Sequence, residues 1–197
     1  MQYDERVLAE RLRVMSAGAK VLFACACAER LMPAYGWFCA QGGKGDFTAV
    51  RRILDKAWGG GQGAFVPPSS LHDWRAHLEA LVPCVEHQGA RYLAAALAQY
   101  ALAGVAYVLD VWETGDLERA RSVALQLYNA ADTLIQQSAP PHMYVPNIDA
   151  QLPVEFLVNG IYAALHHPLT ATDLRSTAEA DGERFLKFVT GEVPWNK

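Results

Sequence analysis

The sequence predicts an all-α fold: a single-domain bundle of about seven or eight helices around a central, nearly fully buried helix. Three observations predict it. No segment sustains the apolar/polar alternation of a half-buried strand. Ala, Leu, Arg and Glu, all good helix formers, fill the apolar-periodic stretches. From Tyr92 to Leu109, Gln99 is the one strongly polar residue, so that helix is expected to be covered on nearly all sides. At 197 residues the length suits one domain.

The first helix is expected over Asp4–Met15, with Val7, Leu8, Leu12 and Met15 on one face. Ser16 is placed to cap a second helix through Val21 to Met32. Pro33 lacks an N–H and ends or kinks that helix, and Tyr35, Trp37 and Phe38 continue it briefly. Gly42, Gly43 and Gly45 make a turn. Asp46 caps a helix over Phe47–Trp58, whose apolar stripe is Phe47, Val50, Leu54, Ala57 and Trp58.

The run GGGQGAFVPPSS, Gly59 to Ser70, reads as a loop. Ser70 with Asp73 resembles a capping box opening a helix to Val82, closed by Pro83. The buried helix follows over Gly89–Glu113. Gly115 then turns the chain into an antiparallel partner helix, capped by Asp116 and reaching Gln137. A second loop is expected over Ser138–Asn147, a helix over Ile148–His166, and a last helix to Thr190 capped by Thr170 with Asp173.

Composition narrows the function classes. The apolar share is 52%, the charged share 19% and the net charge −4, with no basic run of the kind that neutralises phosphates, so no nucleic-acid partner is expected. Tyr92–Leu109 is apolar enough to imitate a membrane span, but its Ala content, Gly104 and flanking Asp110 and Glu113 favour a core helix, and no membrane partner is expected. The N-terminal stretch has no apolar secretion core, so a cytoplasmic location is expected. Cys25 and Cys27 point about 200° apart on a helix. With Cys39 and Cys84 they are expected to be reduced and mostly buried.

Chemistry is sparse. The glycines around Lys44 lack the strand and the Gly-Lys-Ser/Thr of a phosphate loop. Of the six histidines, His72 and His77 are five apart, and His166 and His167 close a helix. None has the spacing of three or four that puts metal ligands on one helix face, so neither a metal nor a cofactor is expected. Cys84 with His87 is the one pair suggestive of a nucleophile and base, outweighed by an inert cysteine. The aromatics Trp58, Trp74, Tyr92, Tyr100, Tyr107, Trp112 and Tyr128 fall at core spacings, whereas Tyr144 and Trp195 lie in loops and are candidates for a partner surface.

The sharpest feature is a pair of charges, Glu29 and Arg30, set among Cys25, Ala26, Cys27, Met32 and Pro33. An unpaired buried charge is costly, so partners are required. The next helix offers them. Glu29 is expected to pair with Arg51 or Arg52, and Arg30 with Asp46 or Asp55, fixing how two helices pack. A functional pocket over the same charges is the competing reading.

This nucleus carries a resemblance. Cys27-Ala28-Glu29-Arg30, Pro33, Tyr35, Phe38, Gly45-Asp46, Arg51-Arg52-Ile53-Leu54-Asp55 and Trp58 resemble the bacterial YjaG-like family of unknown function. Gly115-Asp116-Leu117-Glu118 and Glu155-Phe156 extend the similarity more weakly. The resemblance implies an all-helical cytoplasmic fold and supplies no catalytic residue. The Gly/Pro loop after Trp58 and the Ala-rich central helix depart from the pattern. The Cys-Ala-Glu-Arg signature is also similar to all-helical immunity proteins found beside bacterial polymorphic toxins. The expected function is therefore non-enzymatic interaction with a protein partner, in its most concrete form a toxin domain. The alternatives are a YjaG-like housekeeping or signalling-associated protein acting through a partner or small ligand, and an enzyme using the Glu29/Arg30/Asp46/Asp55 charges. The apolar richness also suits a homodimer.

Overall fold

The computed structural model describes residues 4–84, 90–138 and 170–192, and every regular element among them is a helix. The helices are α1 (Glu5–Arg13), α2 (Ala17–Glu29), α3 (Met32–Ala40), α4 (Phe47–Gly61), α5 (Pro68–Ala80), α6 (Ala90–Thr114), α7 (Leu117–Ser138) and α8 (Ala171–Val189). The expected helix over Ile148–His166 lies outside the described residues, as do Tyr144, Trp195 and His87.

Capping chemistry sets most of the boundaries. The Asp4 carboxylate accepts from the Arg6 and Val7 amides, Ser16 Oγ from Ala19, Asp46 from Ala49, and Thr170 Oγ1 from Asp173. Each satisfies a donor that the first helical turn leaves without a partner. The α6–α7 corner turns on Gly115 at φ +66°, a conformation that costs glycine little. The Lys20 ammonium donates to the Gly115 carbonyl at 3.1 Å and ties that corner to α2. Asp110–Arg119 near the corner and Tyr100–Thr133 further away pair residues in antiparallel register.

The second helix ends at Glu29 rather than Met32, with Pro33 in the first turn of α3, and two other boundaries differ from expectation for a physical reason. The helix after the first loop starts at Pro68, with Pro67 as an extended N-cap and no side-chain capping bond. Proline needs no N–H partner in the first turn and its φ is preset for helix, so it displaces the Ser70/Asp73 box. The α4 helix does not stop at Trp58 but runs on through Gly59, Gly60 and Gly61. Those glycines are there for close approach. A Cβ on Gly61 would fall 2.6 Å from Leu22 Cδ2, and one on Gly60 2.1 Å from the Trp112 indole. From the other side, a Cβ on Gly18 would meet the Gly61 carbonyl oxygen at 2.8 Å.

The core has two central helices. α6 packs against α2, α3, α4, α5 and α7. Its stretch Tyr92–Thr114 is long and apolar enough to cross a membrane, and those neighbours cover most of it. α2 is buried more evenly still. Phe23 through Glu29 are buried without a break, and Leu31 and Met32 continue the run. The two helices meet where Gly104 faces Ala28, a small-against-small crossing that lets their backbones approach. Trp74 stacks at a tilt on Trp112, and Arg75 bridges Asp110 and Glu113, so α5 clasps the end of α6.

The glycine seam gives a paired stability test. Gly18→Ala should lower the unfolding free energy by about 1–3 kcal/mol, the usual cost of overpacking, although alanine is the better helix former. Gly59→Ala meets only Ala64 Cβ at 3.5 Å and should be neutral or stabilising by up to about 1 kcal/mol. Urea unfolding of both variants checks this, and a gain at Gly18 would refute the close approach.

Candidate functional site

The charges singled out in the sequence lie where α2 breaks into α3. The helix ends at Glu29, and the α3 helix begins with Pro33 in its first turn. Both Glu29, 2% exposed, and Arg30, 0% exposed, are buried. Glu29 has the expected partner: its carboxylate accepts from both terminal nitrogens of Arg51, the Nη2 bond being 2.8 Å. The Trp58 indole Nε1 adds a third bond at 2.9 Å. Arg51 also donates through Nε to Asp55 at 3.0 Å, one turn along α4. Burial works against the Arg51 cation, but hydrogen bonding and attraction from Glu29 outweigh it and raise its pKa.

Arg30 does not have the expected partner. Asp181 of α8, 151 residues away, holds it, accepting from Nε at 2.9 Å and from Nη2 at 2.7 Å. The third arm, Nη1, donates to the Ala26 carbonyl at 2.7 Å. Asp46 and Asp55 are used elsewhere. Asp46 caps α4 and donates its own N–H to the Tyr35 hydroxyl at 3.1 Å. Asp55 accepts from Arg175 of α8 at 2.6 Å, and the Arg175 guanidinium lies 6.0 Å from the Trp58 ring. Arg52 stands on the exposed side of α4, outside the cluster.

The structure therefore brings together Glu29, Arg30, Arg51 and Asp55, leaves Asp46 and Arg52 aside, and adds Trp58, Arg175 and Asp181. Asp181 carried one overlooked signal. It stands beside Gly182, a helix-interior glycine that weakens α8 unless something needs the space. Something does: a Cβ on Gly182 would lie 3.0 Å from the Arg30 carbonyl oxygen and from Pro33 Cδ.

The charges of this cluster are paired with one another, Glu29 and Arg30 buried and Asp55 exposed at its edge. Each charged group within it faces an opposite charge or a backbone carbonyl, and none lines the cleft found elsewhere in the molecule. That cleft, about 440 Å³, lies between the α3–α4 turn, the end of α5 and the start of α6. Among the described residues no group of three or more His, Cys, Asp or Glu could hold a metal ion. Cys25 and Cys27 are buried thiols, Cys39 is half-buried and Cys84 exposed; all are unbridged. Burial pushes the Cys25 thiol well above its ordinary 9.0, with Glu29 adding to the rise. Burial takes Cys27 and the Tyr35 phenol each up to about 12. These are inert packing groups rather than nucleophiles.

Residues 7–126 match the family described as "Protein of unknown function (DUF416)". The chain belongs to that family. The match takes in Glu29, Arg30, Arg51, Asp55 and Trp58, while Arg175 and Asp181 lie beyond it. In the crystal structure of a DUF416 family protein from Shewanella baltica OS155 the fold is similar. Its TM-score is 0.69 at 15% identity, covering 89% of this chain and 93% of that one. A search of curated proteins gives no match.

Two outcomes follow from the cluster. Arg30→Met should cost about 3–5 kcal/mol by leaving Asp181 without its partner. In Arg30→Met/Asp181→Leu the loss should be smaller than the sum of the single losses, as a double-mutant cycle in urea would show. Stability unchanged in Arg30→Met would refute the network. The second concerns pH. The native state keeps the Cys25 and Cys27 protons, which the unfolded chain releases above its pKa of 9.0. Stability is thus complete below that pH and falls as pH rises through it. At pH ~10 the two thiols together should cost about 3 kcal/mol. Unfolding curves for Cys25→Ala/Cys27→Ala, flatter between about pH 8 and 10 than those of the unmodified protein, would check it.

Proposed function

We propose that the protein acts by binding a protein partner rather than by catalysis, in the cytoplasm, and that it is an immunity protein occluding a toxin domain. The observation that supports this reading is the mutual pairing of the cluster's charges. Glu29, Arg30, Asp55 and Asp181 are engaged by Arg51, Arg175, Trp58 and one another, so the strongest candidates for acid–base chemistry are spent on packing. The resemblance of Cys27-Ala28-Glu29-Arg30 to immunity proteins gives the reading its concrete form. The net charge of −4 suits a basic partner.

The test is to express each reading frame adjoining this gene in a heterologous host, with and without this protein. Growth arrest by one product, relieved by co-expression and accompanied by a stable complex on gel filtration, is the expected result. Arrest that persists in the presence of the folded protein, or no toxic neighbour at all, overturns the immunity reading. A second reading, a YjaG-like member of the family acting through a small ligand, is favoured by the cleft beside Phe38 and Lys44.

A further inference from the structure

The cleft has a composition that selects its ligand. Its floor is apolar: Phe38, Ala94 and Ala95 are 7%, 3% and 8% exposed, and Leu81 packs partly against the core. Val82, at its edge, is left 49% exposed. The floor is set by local constraints. A Cβ on Gly43 would fall 2.4 Å from the Phe38 ring, so only glycine lets the α3–α4 turn fold over that ring. The amide of Gln99, the one strongly polar side chain of its helix stretch, donates to the Pro83 carbonyl at 2.8 Å and holds the opposite wall.

One charged residue lines this cleft. Among the described lining residues Lys44 is the sole charged side chain, and no ion pair among the described residues engages it. Lys44 is therefore, among the described lining residues, the group that would draw an anionic head, in a chain of net charge −4. A volume of about 440 Å³ falls within the range of small-molecule sites. We propose that this cleft binds a small amphipathic carboxylate, its apolar body over Phe38 and Ala94–Ala95 and its charged head on the Lys44 ammonium. The inference deepens the small-ligand reading and is independent of the toxin reading.

Cys84 lines the same cleft and is exposed, while Cys25 and Cys27 are buried and Cys39 half-buried. A bound ligand should therefore shield it. The probe is octanoate, and the readout is the alkylation rate of Cys84 in the intact protein, followed by mass spectrometry of its peptide. Octanoate should slow the reaction, and hexanoate should need about tenfold more for equal protection because two methylenes leave the floor. Octylamine, the same chain with the opposite charge, should protect little. Lys44→Glu should raise the protecting octanoate concentration about tenfold, with thermal unfolding unchanged because Lys44 is exposed. No protection by octanoate, or equal protection by octylamine, overturns the proposal without any variant. Undiminished protection in Lys44→Glu overturns the role of the ammonium. Neither result bears on growth rescue by co-expression, so the two proposals fail separately.

Discussion

Burial of two adjacent opposite charges, Glu29 and Arg30, is the constraint on which the arrangement of α2, α4 and α8 depends. Both sit at the end of a helix whose last stretch, Phe23–Ala28, is apolar and buried. Neither can reach water, so each must be met by a partner held in place by its own helix. Glu29 is met by Arg51 and Trp58, which fixes α4 along α2. Arg30 is met by Asp181, which fixes α8 against the α2–α3 break. Asp55, shared between Arg51 and Arg175, links α4 to α8 and closes the triangle.

Small residues make the charge geometry attainable. Bidentate contact between helices requires short axis separations, and these are supplied by glycines. Gly182 lets α8 lie on the Arg30 carbonyl and Pro33, while Gly18 and Gly61 bring the far ends of α2 and α4 together. The Ala28–Gly104 crossing does the same between α2 and α6. A network of this kind contributes orientation more than net stability, because desolvation offsets most of the Coulomb attraction. None of its charged groups lines the cleft beside Phe38 and Lys44. The protein thus has a charged centre built for packing, set apart from the cleft that Lys44 lines.

Much of this was legible in the sequence. The missing alternation, the caps at Ser16, Asp46 and Thr170 and the glycine corner at Gly115 are local features, and local hydrogen bonding decides them. The need for partners at Glu29 and Arg30 followed from the cost of burying a charge, and Arg51 was reachable because Glu29 and Arg51 belong to neighbouring helices of one motif. The same reasoning misplaced the partner of Arg30 and ended α4 too early at Trp58. The causes differ: the triglycine was read locally as a breaker, whereas Gly60 and Gly61 are contact points for other helices, and the partner of Arg30 was sought on the next helix in sequence rather than 151 residues away.

The sequence by itself determined the helical class, most helix boundaries, the burial of the apolar segments and the demand for charge pairing, since each follows from interactions spanning a few residues. Only the tertiary structure decided that Asp181 answers Arg30, that the triglycine stays helical against Leu22 and Trp112, and that Lys44 and Cys84 border one cleft. Those facts depend on which helices lie side by side. That choice is made by packing between helices far apart in the chain, 151 residues for Arg30 and Asp181, where no local spacing carries the information.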